Sequence, residues 1–150
     1  MTAKPTPLEL CAYLCVAGAA DAIEFYARAF CATLDFKLED PEDQRIGHAE
    51  LLFGGTRVLL SDEYPDFDAI GPKALGGSPV KMHLEVDDAE AFVSHAVAEG
   101  ATLVRPVKLE FHGNHMGMIT DPFGYAWFIS SKAEDVSPEE MQKRWEAGEA

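Results

Sequence analysis

A chain of 150 residues with 47% hydrophobic content fits one compact domain or two half-domains sharing a core. A net charge of −14 argues against nucleic acid, whose phosphates need Lys and Arg, and against anionic membrane surfaces; a cationic ligand would be drawn to such a field. The apolar runs are too short to span a bilayer, the start MTAKPTPLELC lacks a secretory pattern, and Cys11, Cys15 and Cys31 read as reduced thiols, so the expected location is cytoplasmic.

Leu10–Val16 alternates Leu10, Ala12, Leu14 and Val16 with Cys11, Tyr13 and Cys15, the period-two pattern of a strand with one apolar face. A helix follows over about Ala22–Phe30, with Asp21 and Glu24 as a capping box and Ile23, Phe25, Tyr26, Ala29 and Phe30 facing inward. Ile46–Phe53 and Thr56–Ser61 read as strands turning at Gly54-Gly55; a strand near Phe36–Leu38 is the weakest signal. The turn-rich segment 62–79 joins these elements to the second half of the chain. It carries Tyr64, Phe67 and Ile70, the apolar contacts that a lid over a pocket would need; a plain surface linker fits it equally. Val80–Val86 is again an alternating strand, with Lys81, His83 and Glu85 on one face. A second helix, capped by Asp87 or Asp88, presents Phe92, Val93, Ala96 and Val97 and ends at Gly100. Strands over Met116–Thr120 and Tyr125–Ser130 meet at the turn Asp121-Pro122-Phe123-Gly124, after a weaker one near Leu103–Val107. A last helix starts at the cap Ser137, has Pro138 in its first turn, and ends near Gly148.

The order of elements repeats. Asp21–Leu34, DAIEFYARAFCATL, and Glu90–Leu103, EAFVSHAVAEGATL, match at six of fourteen positions without a gap. A repeated unit that cannot bury its apolar face alone predicts two β-α-β-β-β modules in tandem, over about 8–62 and 80–131, with segment 62–79 between them and a terminal helix over 137–148.

The stretches YLCVAGAADAIEFYARAF and DPFGYAWFIS resemble the vicinal oxygen chelate superfamily of glyoxalases, extradiol dioxygenases, fosfomycin-modifying enzymes and bleomycin-binding proteins. IGHAELLFGG, LLSDEYPDF, FHGNHMGMITDPFGYAW and DVSPEEM are similar to its PhnB-like branch. The resemblance implies an α+β glyoxalase/bleomycin resistance fold, two βαβββ modules whose curved mixed sheets surround a cavity, and a homodimer. It also implies metal ligands on the first and last strands of each module, which fall here at Cys11, Lys81, Leu59 or Leu60, and Phe128. Lys, Leu and Phe offer no donor for a divalent cation, so an inherited metal site and a cofactor are not expected.

The candidate ligand-binding residues are Tyr13, His48, Glu50, His83, His115 and Phe128. His83 and Tyr13 hold matching mid-strand places on the faces opposite the helices, and Phe128 is a stacking wall. His48 and Glu50 share a strand face as an acid-base pair; with His83 they make a two-His, one-carboxylate set, the basis of an alternative reading as a metal-dependent lyase or dioxygenase with a displaced site. His112 and His115 sit at a turn, and His95 on a helix surface. The leading reading is a protein that binds a small organic molecule between its modules, the acidic charge making a cationic compound the more attractive class; a structural dimer without a ligand is the third.

Overall fold

The computed structural model describes residues 2–149, which divide after Gly71 into two compact units. Unit one comprises β1 (Tyr13–Val16), α1 (Ala19–Phe30), β2 (Thr33–Glu39), β3 (Ile46–Phe53), β4 (Thr56–Asp62) and a 3-10 turn at Pro65–Phe67. Unit two comprises a short helix α2 (Pro72–Leu75), β5 (Met82–Glu85), α3 (Ala89–Ala98), β6 (Thr102–Leu109), β7 (Asn114–Thr120), β8 (Ala126–Lys132) and the terminal helix α4 (Pro138–Glu146). The strand orders are β1-β4-β3-β2 and β5-β8-β7-β6. In each, the first strand pairs parallel with the last and the remaining pairs are antiparallel. The same β-α-β-β-β topology thus occurs twice, as the repeat predicts, in an α+β protein with a C-terminal helix.

One sheet face of each unit is packed under its helix. In unit one Leu14, Val16, Ala49, Leu51, Phe53 and Leu60 are buried together with Phe25, Tyr26, Ala29 and Phe30 of α1. The Tyr26 ring meets Phe53 edge-on at 5.5 Å. In unit two Ile119, Trp127 and Ile129 are buried, as are Val93 and Ala96 of α3. Asp121 makes its turn a structural device: its carboxylate accepts the backbone N–H of Phe123 and Tyr125 and the indole N–H of Trp127. After α1, Cys31 takes the left-handed conformation (φ 55°) where Gly100 follows α3 at φ 124°.

Several elements depart from expectation. The first strands are shorter, Tyr13–Val16 and Met82–Glu85, so Leu10 and Val80 lie outside them and are exposed. Asp21 and Glu24 form no capping box, because α1 begins earlier, at Ala19. Its N-terminus is met instead by Asp62 of β4, whose Oδ1 accepts from Gly18 and Ala19 N–H at 3.1 and 2.8 Å. Val97, placed on the inward stripe of α3, is exposed. Asp88 caps α3 through Ala91 N–H at 3.1 Å. Ser137 caps α4 through Glu140 N–H, but the Glu140 carboxylate pairs with Arg144 rather than reaching back. Arg144 also donates to the Phe111 carbonyl and to Glu134, and Trp145 packs on the Phe111 ring, so α4 braces its own unit.

Candidate functional site

On the sheet face of unit one opposite α1, the side chains of Arg57, Leu59 and Ser61 alternate along β4 with Val58, Leu60 and Asp62; these last three are buried, and so is Ser61. The register sets Tyr13 beside Leu59, Leu59 beside Glu50, and Glu50 beside Phe36. Tyr13 reaches across the intervening strand: its Oη lies 2.8 Å from His48 Nδ1, and the Phe36 ring lies 5.9 Å from the same imidazole. His48 Nε2 is 3.4 Å from Glu50 Oε1. Arg57 then clasps two carboxylates. Its Nη1 donates to both oxygens of Glu50 at 3.1 and 3.0 Å, while Nε and Nη2 donate to Glu9 at 3.2 and 2.5 Å. Cys11 Sγ donates to Glu9 Oε1 at 3.0 Å.

These contacts set the charges. Burial opposes ionisation of Glu50, but hydrogen bonds from Arg57 and His48 outweigh it and hold its carboxyl below the usual range. Arg57, donating to Glu9 and Glu50, is held even more firmly protonated than a free guanidinium. The same Arg57 bond, with help from Cys11, lowers Glu9, and Glu9 in turn raises the Cys11 thiol. The network thus fixes the ions Arg57, Glu50 and Glu9 and runs through His48 to the Tyr13 hydroxyl.

The first part of segment 62–79 packs on this unit. Tyr64 and Ala69 exchange backbone hydrogen bonds around the 3-10 turn, and Gly71 N–H donates to Glu63 at 3.0 Å. The Arg45 guanidinium lies over the Tyr64 ring, 4.0 Å from its centroid. This segment, the candidate lid, borders a pocket of about 490 Å³ lined by Tyr13, Gly47, Ser61, Tyr64, Phe67 and Ala69.

In unit two, His83 and Phe128 are register partners with ring centroids 6.4 Å apart, followed across the sheet by Met118 and Arg105. His83 is half exposed and its Nε2 lies 3.6 Å from Glu85 Oε1. A pocket of about 500 Å³ is lined by Phe128, Met116, Met118, Arg105, Lys108 and Glu110. Its two cations against one carboxylate give it a local sign opposite to that of the chain. His115 stands in β7 itself, opposite Ser131, and is exposed rather than sitting in a turn. His112 packs edge-on against Phe111, and His95 is exposed on α3.

Of the six candidates, the structure joins Tyr13, His48 and Glu50 directly, and His83 with Phe128. Cys11 and Lys81, the first-strand ligand positions that the family resemblance implies, lie before their strands; Tyr13 and His83 are the residues beside Leu59 and Phe128. Leu60 is buried on the helix side, so Leu59 is the last-strand residue on the open face. Among the described residues no group of three or more His, Cys, Asp or Glu side chains is placed to hold a metal ion. His48 and Glu50 are close enough to share a ligand, but both ring nitrogens and both carboxylate oxygens are already engaged. Arg57, Glu9 and Ser61 do not stand out as site residues in the sequence. Arg57 and Ser61 share the period-two phase of Leu59, a signal that could have found them; Glu9 lies outside any element and has none.

Residues 8–129 match the model of the Glyoxalase/Bleomycin resistance protein/Dioxygenase superfamily. Protein Mb0911c of Mycobacterium bovis is 35% identical over 133 residues, covering 87% of each chain. The crystal structure of protein PA1353 from Pseudomonas aeruginosa superposes with a TM-score of 0.68 at 27% identity, over 85% of this chain and all of that one. The PhnB protein from Bacillus cereus shares the fold, with a TM-score of 0.65 at 14% identity over 83% of this chain and 99% of its own. The repeated β-α-β-β-β topology and these matches agree: the chain belongs to the Glyoxalase/Bleomycin resistance protein/Dioxygenase superfamily.

Proposed function

We propose that the protein binds a small, positively charged organic molecule, without an inherited metal, and does so as a cytoplasmic homodimer. The observation that carries the binding reading is the pocket of unit one, about 490 Å³, walled by Tyr64 and Phe67 on one side and the Tyr13 face on the other. Ligand sites are concave, mostly apolar, and carry a few placed polar groups; roughly 300–1,000 Å³ is their usual size. Aromatic walls and a chain of net charge −14 both favour a cation. Tyr13 and Ser61 supply polar groups to this pocket, His48 and Glu50 hold Tyr13 from behind, and His83, His115 and Phe128 belong to the open face of unit two. The homodimer and the cytoplasmic setting rest on the family resemblance and on the cysteine content; light scattering on the purified protein tests the first.

The contact between His48 and Glu50 favours a second reading, catalysis at a displaced metal site. It requires both residues to release the partners they now hold. Elemental analysis of protein purified without chelator or affinity tag separates the readings. The binding reading predicts no stoichiometric transition metal and a thermal shift with cationic aromatic compounds. A stoichiometric metal that disappears in His48→Ala refutes it.

A further inference from the structure

We propose that the pocket of unit one takes a protonated primary or secondary amine, because two of the three hydroxyls facing it spend their protons elsewhere and are left as hydrogen-bond acceptors; this builds on the small-molecule reading above. Glu50 is clasped by Arg57 and ionised, so it can only accept. The hydrogen between it and His48 Nε2 therefore sits on the ring nitrogen. In the one-proton form of the ring, which carries a single N–H, that placement leaves His48 Nδ1 bare. Tyr13 Oη, 2.8 Å from that nitrogen, must donate to it. Its proton is spent inside the network, and it offers the pocket lone pairs only.

Ser61 repeats the arrangement, donating its hydroxyl proton to the Asp62 carbonyl at 2.9 Å. The backbone N–H groups of Tyr64 and Ala69 are spent on each other's carbonyl oxygens at 2.8 and 3.1 Å. Of the three wall hydroxyls, only that of Tyr64 can turn either way. The Tyr64 ring already carries a guanidinium over one face, and Phe67 adds a ring that is 82% exposed. An ammonium with an N–H meets Tyr13 Oη and finds ring faces for its charge. A quaternary ammonium keeps the ring attraction and loses the hydrogen bond. A carboxylate meets two hydroxyls that only accept and finds a side-chain donor in Tyr64 alone.

Three probes of one shape test this by calorimetry and by NMR shifts at Tyr13 and Tyr64: benzylammonium, benzyltrimethylammonium and benzoate. The expected order is benzylammonium first, the trimethyl compound about tenfold weaker, and benzoate without measurable binding, since a hydrogen bond to a charged donor is worth about a factor of ten or more. Tyr13→Phe should weaken benzylammonium about tenfold and leave the trimethyl compound unchanged. Equal binding of the two cations, or tighter binding of benzoate, overturns the acceptor assignment and leaves the small-molecule reading standing. Failure of all three to bind overturns it as well, and the thermal-shift screen then judges the broader reading separately. Should Tyr13→Phe not fold, the comparison of the two cations on the wild-type protein decides.

Discussion

Asp62 shows what a single side chain does here that no local pattern announces. It is buried, and its oxygens accept the N–H groups of Gly18, Ala19 and Ile46, the last at 2.7 Å. Orphan donors at a helix start need an acceptor, and a carboxylate also suits the positive end of the helix. Reading Asp21 and Glu24 as the cap is a local inference; the true acceptor lies 43 residues away from Ala19. In unit two Ser131 Oγ serves the same place, accepting from Ala89 N–H at 3.0 Å, beside the local cap Asp88 that the sequence does reveal. Arg57 has consequences for acid stability. It holds Glu50 and Glu9 below their ordinary range, so their contribution to stability is complete above the free carboxylate value of roughly 4.3. That contribution is lost as the pH falls through the depressed folded values. Urea midpoints of the wild type and of Arg57→Met should therefore differ at neutral pH and converge below a pH of about 4. A gap that stays constant across the acid limb would show that the clasp adds no ionic stabilisation.

At the scale of elements, legibility tracks burial. Strands with one face under a helix, such as β3 and β8, show period-two alternation and can be read from it. β2 and β6 carry the weakest signals, yet they run for 7 and 8 residues. Each lies at a sheet edge, and nearly every residue in it is exposed, so no buried stripe marks it. Pro106 sits in β6 where the register shifts between Arg105 and Lys108, a break that only an edge strand tolerates. The lid depends on one close approach. A Cβ at Gly71 would stand 2.7 Å from the Cys15 carbonyl oxygen, and backbone cannot step aside as a side-chain tip does. Gly71→Ala should therefore push the lid off β1, leave the core of unit one intact, and raise amide exchange over residues 63–71 while that of β3 stays unchanged. Unaltered exchange in the lid would mean that it is not held by this contact.

For the whole molecule, the duplication is legible because it is written twice, in element order and in the helix match, and the two sheets repeat one topology. The pairing of Tyr13 with His48 is not, since it spans β4 and depends on a strand order that a period-two pattern does not encode. Charge is legible only as a sum. The 26 acidic residues outnumber the 12 basic ones, yet Arg105 and Lys108 face one pocket while another is lined by Tyr13, Ser61, Tyr64 and Phe67. The sum should act on encounter rather than on the bound state, because a long-range field steers a cation but is screened within a Debye length, from roughly 30 Å at 0.01 M salt to roughly 3 Å at 1 M. Contacts inside the pocket lie closer than that and are screened less. Stopped-flow binding of a cationic aromatic probe should then show an association rate that falls steeply with salt and a dissociation rate that barely moves. The reverse, with salt acting on dissociation alone, would mean that the acidic surface plays no part in capture and that the ligand is recognised by the pocket only.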